Sequence, residues 1–176
     1  ISAMLKAEVA GIGFPQKGTP QGGIISPLLS NIVLNELDWW IASQWENMPT
    51  RKNREYARSD NGVIDKSQKY EMLRKSSALK ECYIVRYADD FKIFCRKRSD
   101  AVKLFAATRD WLKERLGLDI SPEKSRIVNL KRQYSDFLGF KLRAVRKGVK
   151  SNGTAKYAVE SHMSDKAVKK VKRQTR

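Results

Sequence analysis

Aromatic or apolar residues occupy every second position along residues 83–87 and again along residues 91–95. This period of two is typical of β-strands. Only Ala88 and Asp89 separate Tyr87 from Asp90, and a two-residue connection is common in antiparallel hairpins. The pattern therefore predicts a β-hairpin in which Tyr87 pairs with Asp90 and Asp89 projects from the tip, outside the ladder.

Apolar residues that recur at spacings of three and four predict two long helices. The first begins at Ser26-Pro27, an N-cap followed by proline at the first helical position, and continues for about five turns. We expect its apolar residues to be buried: Leu28, Leu29, Ile32, Val33, Leu37, Trp40 and Ile41. The second helix is capped by Ser99 and ends at Gly117. Its apolar face consists of Val102, Phe105, Ala106, Leu112 and Leu116.

Shorter patterns complete the predicted elements. A helix is expected at 66–79, strands at 125–130, 137–145 and 156–160, and a turn at Ser151-Asn152-Gly153. Strands and helices follow one another without a regular βαβ repeat. This order predicts an α+β fold, an antiparallel sheet with helices packed on one face.

Composition indicates one core and a polyanionic partner. The chain has 176 residues, of which 41% are hydrophobic, and this is enough for a single core. Its 36 Lys and Arg residues outnumber 19 Asp and Glu residues, so the net charge is +17 and nucleic acid is the expected partner. A membrane surface is the alternative, but the sequence contains no apolar run of about 18 residues that could span a bilayer.

Cysteine and histidine do not form a zinc-binding pattern. Cys82 and Cys95 are the only cysteines, and the predicted hairpin places them opposite one another. A reduced, packed pair is expected rather than a strained cross-strand disulfide. Because His162 is the only histidine, no Cys/His site for zinc is expected.

The predicted hairpin carries two adjacent carboxylates, Asp89 and Asp90, and carboxylate oxygens are the hard ligands that Mg²⁺ prefers. An Asp-Asp pair alone is weak evidence, because aspartate is common in turns. Its weight comes from residues 18–23, a Gly-rich loop that leads into the first helix. Together the two segments favour a shelf of backbone and glutamine beside a metal site.

These segments resemble reverse transcriptases. Residues 18–38, GTPQGGIISPLLSNIVLNELD, resemble the group II intron branch in particular. Residues 116–125, LGLDISPEKS, resemble the next segment of that family's palm, and residues 137–140, FLGF, resemble its primer-grip hairpin. With the carboxylate hairpin, four segments in the family's order cover roughly residues 11 to 145.

The resemblance implies a partial reverse-transcriptase palm at 1–145, with a basic insertion at about 46–81. Residues 146–176 would form a basic strand and helix that lead towards the thumb and maturase domain. Glu8 is the sole acidic residue before Pro20, so the fingers and the first catalytic aspartate are expected to be missing. The chain alone is therefore predicted to be inactive and to need the N-terminal part of the same polypeptide.

The resemblance also implies an active site. Asp89 is the first choice as a direct metal ligand, and Asp90 is the second, as an outer ligand or hairpin anchor. Two Mg²⁺ ions, for which Mn²⁺ could substitute, would activate the primer 3′-hydroxyl and neutralise the leaving pyrophosphate. The residues implied to lie against the incoming nucleotide are Pro20, Gln21, Gly22 and Ala88.

Several implied roles have simpler alternatives. Gln21 is also compatible with a turn at the helix entry. Lys124 resembles the palm lysine proposed to protonate pyrophosphate, but a surface lysine is the simpler interpretation.

Leu138 and Gly139 would let the primer backbone approach closely. Because Ala88 would adjoin the primer end and valine suits a strand flank, Ala88→Val is expected to impair extension more than folding.

Two basic segments are candidate RNA-binding surfaces, and a solvated loop or linker is the alternative for each. From Lys141 onward there are twelve Lys and Arg residues against Glu160 and Asp165. The candidate residues are Arg51, Lys52, Arg54, Lys169, Lys170, Lys172 and Arg173.

Taken together, these features predict an RNA-directed DNA polymerase of a group II intron that also acts as a maturase by binding intron RNA. The expected partners are the intron RNA template, a DNA primer and deoxynucleotide triphosphates, and a homodimer is compatible with the sequence. A ribonucleoprotein in the bacterial cytoplasm is the expected location, with an organelle as the alternative. The rival functions are a non-catalytic RNA-binding splicing maturase and a reverse transcriptase of a retron, CRISPR or diversity-generating system. The intact Asp89-Asp90 pair favours the enzyme.

Overall fold

The computed structural model describes residues 25–52, 54–57 and 62–174. The chain divides into two compact units, Ile1–Asp119 and Ile120–Arg176. In the first unit the described elements are α1 (Ser26–Gln44), β1 (Tyr56–Ala57), β2 (Ile64–Asp65), α2 (Ser67–Ser76), β3 (Cys82–Tyr87), β4 (Asp90–Cys95) and α3 (Arg98–Leu116). In the second unit they are β5 (Ser135–Phe137), β6 (Phe140–Val149), β7 (Ala155–Met163) and α4 (Asp165–Gln174).

The β3–β4 hairpin has the predicted register. Tyr87 pairs with Asp90, Cys82 lies opposite Cys95, and residues 88 and 89 form the turn. The α+β class is confirmed, and the described strands are all antiparallel. They are divided among three small sheets, β1-β2, β3-β4 and β5-β6-β7, rather than joined in one.

Helix α1 is correctly placed, but two details of its prediction are wrong. The helix starts at Ser26 itself and Ile25 occupies the N-cap, so Ser26 is not the cap, although proline does lie in the first turn. Its predicted apolar face includes Leu28 and Ile32, which are 56% and 61% exposed. The buried residues are Leu34, Leu37 and Ile41, which recur at spacings of three and four, and α1 packs against β3.

Helix α3 also lies where the sequence predicts and ends at Gly117, whose φ of +64° is the left-handed conformation that glycine adopts easily. Ser99 is not its cap, because the helix begins at Arg98 and Lys97 occupies the cap position. Its buried face is made by residues at every fourth position, namely Leu104, Thr108 and Leu112. Val102, predicted to be on this face, is 48% exposed.

The core of the first unit lies between its two long helices and the hairpin. Leu37 and Ile41 of α1 are fully buried, as is Cys82 of β3. Helix α3 packs on β4, and the rings of Trp40 on α1 and Trp111 on α3 stack with 5.1 Å between their centroids. This stacking brings both helices to the same side of the hairpin.

The predicted basic insertion contains α2, which confirms the helix expected at 66–79. Lys69 of α2 is 5% exposed. Its Nζ donates to the Glu46 carbonyl at 2.9 Å and to Glu55 Oε1 at 2.6 Å. A buried ammonium needs such partners, so this lysine connects α2 to two segments that precede it in the chain, at Glu46 and Glu55.

The second unit is a three-stranded meander followed by a helix. The turn at 151–153 is confirmed, and the strand predicted at 156–160 lies within β7. The strand predicted at 125–130 is absent, since residues 125–129 are irregular and Asn129 instead starts a turn, with its carbonyl accepting the amides of Arg132 and Gln133. Across both units, no helix in the described part of the chain has the length and apolar character that a membrane span requires.

Candidate active site

The tip of the β3–β4 hairpin presents both predicted carboxylates to solvent. Asp89 lies in the turn and Asp90 opens β4, and both are exposed. Since residues directly opposite in an antiparallel pair share a face, Asp90 lies on the same face as Tyr87, which is 67% exposed. Within the described ranges neither carboxylate has a hydrogen-bond or salt-bridge partner.

The backbone at Ala88 differs from the strand flank that the sequence suggested. Ala88 has a φ of +51°, in the left-handed region where a β-branched residue is strained. The premise that Ala88 lies on a strand flank, where valine would fit, is therefore wrong, and whether Ala88→Val impairs extension more than folding stays a prediction. The Ala88 carbonyl accepts a hydrogen bond of 2.8 Å from Nη1 of Arg86.

Arg86 connects this turn to helix α1. Its Nε lies 2.9 and 3.0 Å from the two carboxylate oxygens of Asp38, and its Nη2 lies 2.6 Å from Oδ2. Its Nη1 also donates to Asn31 Oδ1 at 2.8 Å. Asp38 holds the pKa of the Arg86 guanidinium above its usual range, chiefly through these hydrogen bonds.

The sequence interpretation missed these residues. Two signals could have found them. Arg86 is the only charged residue in β3. Asn31 and Asp38 are seven positions apart on α1 and therefore lie on one face of a helix.

The donor set at the tip fits a divalent ion in kind, because two exposed carboxylates offer the hard oxygen ligands that Mg²⁺ prefers. It is not a full set. Among the described residues, no three His, Cys, Asp or Glu side chains come together as a metal site would require. Glu8 lies outside the described residues, as do the predicted nucleotide-binding residues Pro20, Gln21 and Gly22.

The two cysteines behind the carboxylates take no part in such a site. Both thiols are free, and Cys82 Sγ lies 4.0 Å from the Ile41 carbonyl of α1. Burial raises the pKa of Cys82 to about 12 and that of Cys95 to about 11. Both are therefore protonated at neutral pH, whereas a metal ligand or nucleophile would be a thiolate.

Three further predicted residues belong to the second unit. Lys124 is exposed in the turn at 122–124. Leu138 and Gly139 form the turn between β5 and β6, with φ values of +50° and +80°. The Gly139 carbonyl accepts the amide of Ser164 at 2.7 Å. This geometry confirms the predicted hairpin, while the roles of these residues in catalysis and primer binding stay predictions.

The candidate RNA-binding residues are accessible. In the insertion, Arg51, Lys52 and Arg54 line an open hollow together with Met72. Helix α4 has no buried residue, and its four candidate cations are exposed: Lys169, Lys170, Lys172 and Arg173. Ser164 caps this helix, because its Oγ accepts the Ala167 amide at 3.2 Å.

Comparison with known proteins decides the family. The profile described as "Reverse transcriptase (RNA-dependent DNA polymerase)" matches residues 4–142. The chain belongs to this family. The match includes α1, the β3–β4 hairpin and the β5–β6 turn, so the elements that carry the candidate site are reverse-transcriptase elements.

Three curated relatives have similar identity to this chain. The group II intron-encoded protein LtrA of Lactococcus lactis is 31% identical over 168 residues, which cover 79% of this chain and 28% of LtrA. The protein YkfC of Escherichia coli is 32% identical over 134 residues, which cover 72% of this chain and 32% of YkfC. A COX1/OXI3 intron 2 protein of Saccharomyces cerevisiae is 31% identical over 144 residues, which cover 70% of this chain and 17% of the yeast protein.

These matches confirm the resemblance to the group II intron branch that residues 18–38 suggested. The chain spans less than a third of the length of each of these relatives.

Proposed function

We propose that this reverse-transcriptase chain belongs to an RNA-directed DNA polymerase of a group II intron, and that the same protein acts as a maturase on intron RNA. The single observation that carries the polymerase assignment is the exposed Asp89-Asp90 pair at the hairpin tip. A protein that only bound RNA would gain nothing from two unpaired carboxylates beside a phosphate backbone, because like charges repel.

Four residues have a proposed part in nucleotidyl transfer, three of them at the hairpin tip and the fourth, Lys124, in the second unit. Asp89, free of the ladder, and Asp90, at the start of β4, would hold two Mg²⁺ ions, or Mn²⁺ in their place. When bound, such ions activate the primer 3′-hydroxyl and neutralise pyrophosphate. Ala88 leaves room for the primer end because its side chain is a single methyl group. Lys124 would donate a proton to pyrophosphate.

The nucleic-acid partners follow from charge. The net charge of +17 and the exposed cations of α4 support binding of an intron RNA template with a DNA primer. Deoxynucleotide triphosphates would be the substrates, lying against Gln21 and its neighbours Pro20 and Gly22. We assign the protein to a ribonucleoprotein, in the bacterial cytoplasm or in an organelle, and a homodimer is compatible with this assignment.

The test is Asp89→Asn in the complete gene product, with primer extension on an RNA template and filter binding of RNA measured in parallel. Extension should fall by at least about a hundredfold, because a metal ligand is lost. RNA affinity should stay within about twofold, since the basic surface is unchanged.

Asp119→Asn is the matched control. Its carboxylate is exposed and already paired with Lys113 at 2.7 Å, so the variant should extend normally. Normal extension by Asp89→Asn would refute the proposed active site at the hairpin tip. Loss of extension in Asp119→Asn would instead identify Asp119 as a catalytic carboxylate. A wild-type protein that binds intron RNA and promotes splicing without any extension would establish the rival function, a non-catalytic maturase.

A further inference from the structure

The structure assigns to Arg86 a role in positioning the Ala88-Asp89 turn, with Asp38 and Asn31 of α1 as its anchors. This inference deepens the proposed polymerase function and rests on it. Arg86 does not touch substrate in this role. It acts through the backbone that carries Asp89.

The hydrogen bonds of Arg86 point in several directions. Arg86 faces three different groups, and its side chain is 10% exposed. One edge of the guanidinium forms the paired contacts with Asp38, with the shortest at 2.6 Å. The remaining nitrogen, Nη1, lies 2.8 Å from Asn31 Oδ1 and 2.8 Å from the Ala88 carbonyl. One planar group thus joins the turn to two points on a helix.

The contact between Arg86 and Ala88 supports an unusual backbone conformation. Ala88 has a φ of +51°, a region that an L-residue adopts at a cost of about 1–2 kcal/mol. Such strain persists when the surroundings determine the conformation. The bond from Nη1 to the Ala88 carbonyl constrains the peptide that links Ala88 to Asp89, and so it bears directly on where the Asp89 carboxylate points.

The anchor of Arg86 is a long, regular helix. Asn31 and Asp38 are two helical turns apart on α1, a helix of 19 residues. They are 55 and 48 positions from Arg86 in sequence, so the contact ties the turn to a distant, regular element. A helix held at two points defines both the distance and the angle at which the turn stands from it.

Lysine cannot reproduce this arrangement. Its ammonium is a single point of charge, whereas the Arg86 contacts come from three nitrogens in a fixed plane. Arg86→Lys retains the charge and the ion pair with Asp38 but cannot also reach Ala88. Arg86→Lys therefore tests the positioning of the Ala88-Asp89 turn while the positive charge at residue 86 is retained.

The chain supplies a matched control. Arg74 of α2 forms a bidentate pair with Glu81, with Nε and Nη2 each 2.8 Å from a carboxylate oxygen. This pair resembles the Arg86–Asp38 pair in chemistry, but it makes no contact with the turn. Arg74→Lys should disturb local stability without moving Asp89.

The experiment compares Arg86→Lys, Arg74→Lys and wild type in the complete gene product. The first readout is hydrogen–deuterium exchange of a peptide covering residues 84–92, measured without metal. Arg86→Lys should speed exchange there about tenfold, and Arg74→Lys should not. The second readout is the Mg²⁺ concentration that gives half-maximal extension. It should rise about tenfold in Arg86→Lys alone, as for the loss of an outer partner of a metal ligand.

Asn31→Ala provides a second variant in case Arg86→Lys folds poorly, since Asn31 is exposed on α1 and its loss leaves the Asp38 pair intact. It should raise the Mg²⁺ requirement about threefold. Unchanged exchange and an unchanged Mg²⁺ requirement in both variants would overturn the inference. Absence of extension by the wild type would refute the proposed function instead, and the exchange measurement, which needs no activity, would still decide the role of Arg86.

Discussion

At residue 88 the hairpin needs a backbone conformation that most side chains resist. Ala88 has a φ of +51°, in the left-handed region that is unfavourable for every residue with a Cβ atom. Alanine has the smallest such side chain. Glycine would remove the strain, and valine would add to it by bringing a branched carbon into the turn. The backbone conformation and the proposed passage of the primer end therefore both favour a small residue at this position.

We expect Ala88→Val to lower the free energy of unfolding by about 1 kcal/mol as well as to slow extension. Ala88→Gly should leave the unfolding free energy unchanged or slightly higher. Ala107→Val, at an exposed position of α3, controls for the general cost of a β-branched residue, about 0.5 kcal/mol in a helix. Denaturant titration and single-turnover extension measure the two effects. If Ala88→Val costs no more than Ala107→Val, the left-handed turn is not strained.

At the level of elements, Glu81 connects the segment before β3 with its surroundings. Its carboxylate receives the paired bonds of Arg74, a bond of 3.2 Å from Arg96 and one of 3.1 Å from the Tyr83 hydroxyl. Arg74, the largest contributor, and the other donors together lower the pKa of Glu81 to about 2. Tyr83 in turn accepts the indole N–H of Trp45, so the cluster reaches the end of α1.

This lowered pKa predicts an acid-sensitive contribution to stability. A carboxylate whose folded-state pKa is about 2, against an ordinary 4.5, stabilises the fold above pH 4.5 and loses that contribution as the pH falls towards 2. Glu81→Gln should therefore cost about 2 kcal/mol at pH 7 and flatten the decline in unfolding free energy between pH 4.5 and 2. Glu114→Gln, at an exposed position of α3, is the control. An unaltered decline in Glu81→Gln would show that the cluster does not stabilise the fold.

Local patterns predicted what local geometry decides. The period of two and the two-residue spacing were enough for the register that pairs Tyr87 with Asp90, and a glycine was enough for the end of α3 at Gly117. Burial was harder to predict, because the face of α1 that packs depends on where β3 lies. The Arg86–Asp38 contact joins residues 48 positions apart. The lone charge in β3 and the seven-residue spacing of Asn31 and Asp38 mark the residues, but no local pattern shows that they meet.

At the level of the whole molecule, positive charge is the dominant property. Twelve Lys and Arg residues follow residue 140, against two acidic ones, and one of those acids, Asp165, is paired with Lys141 at 2.7 Å. The cations of α4 project from a helix without buried residues. A surface of this kind binds polyanions by displacing their counterions, so its affinity depends on salt.

We expect RNA affinity to fall steeply with salt, by about 0.7–0.9 logarithmic units per neutralised phosphate for each tenfold rise in salt. Replacing Lys169, Lys170, Lys172 and Arg173 with Gln should reduce that slope by up to about 3. The control replaces four cations that already pair with carboxylates, and it should change the slope much less: Lys75, Arg109, Lys113 and Arg115. Filter binding across a salt series measures both. Equal slopes for the two sets would identify α4 as a solvated linker.

A hydrogen bond between Ser164 and Gly139 connects this basic helix to the β5–β6 turn. The Gly139 carbonyl accepts the Ser164 amide, and Ser164 Oγ accepts the amide of Ala167 in the first turn of α4. The Ala167 Cβ also lies 3.8 Å from where a side chain at Gly139 would begin. Ser164 thus joins the β5–β6 turn to the start of α4. Nucleic acid bound to the cations of α4, as proposed, would therefore be connected through this one serine to the turn at Leu138 and Gly139.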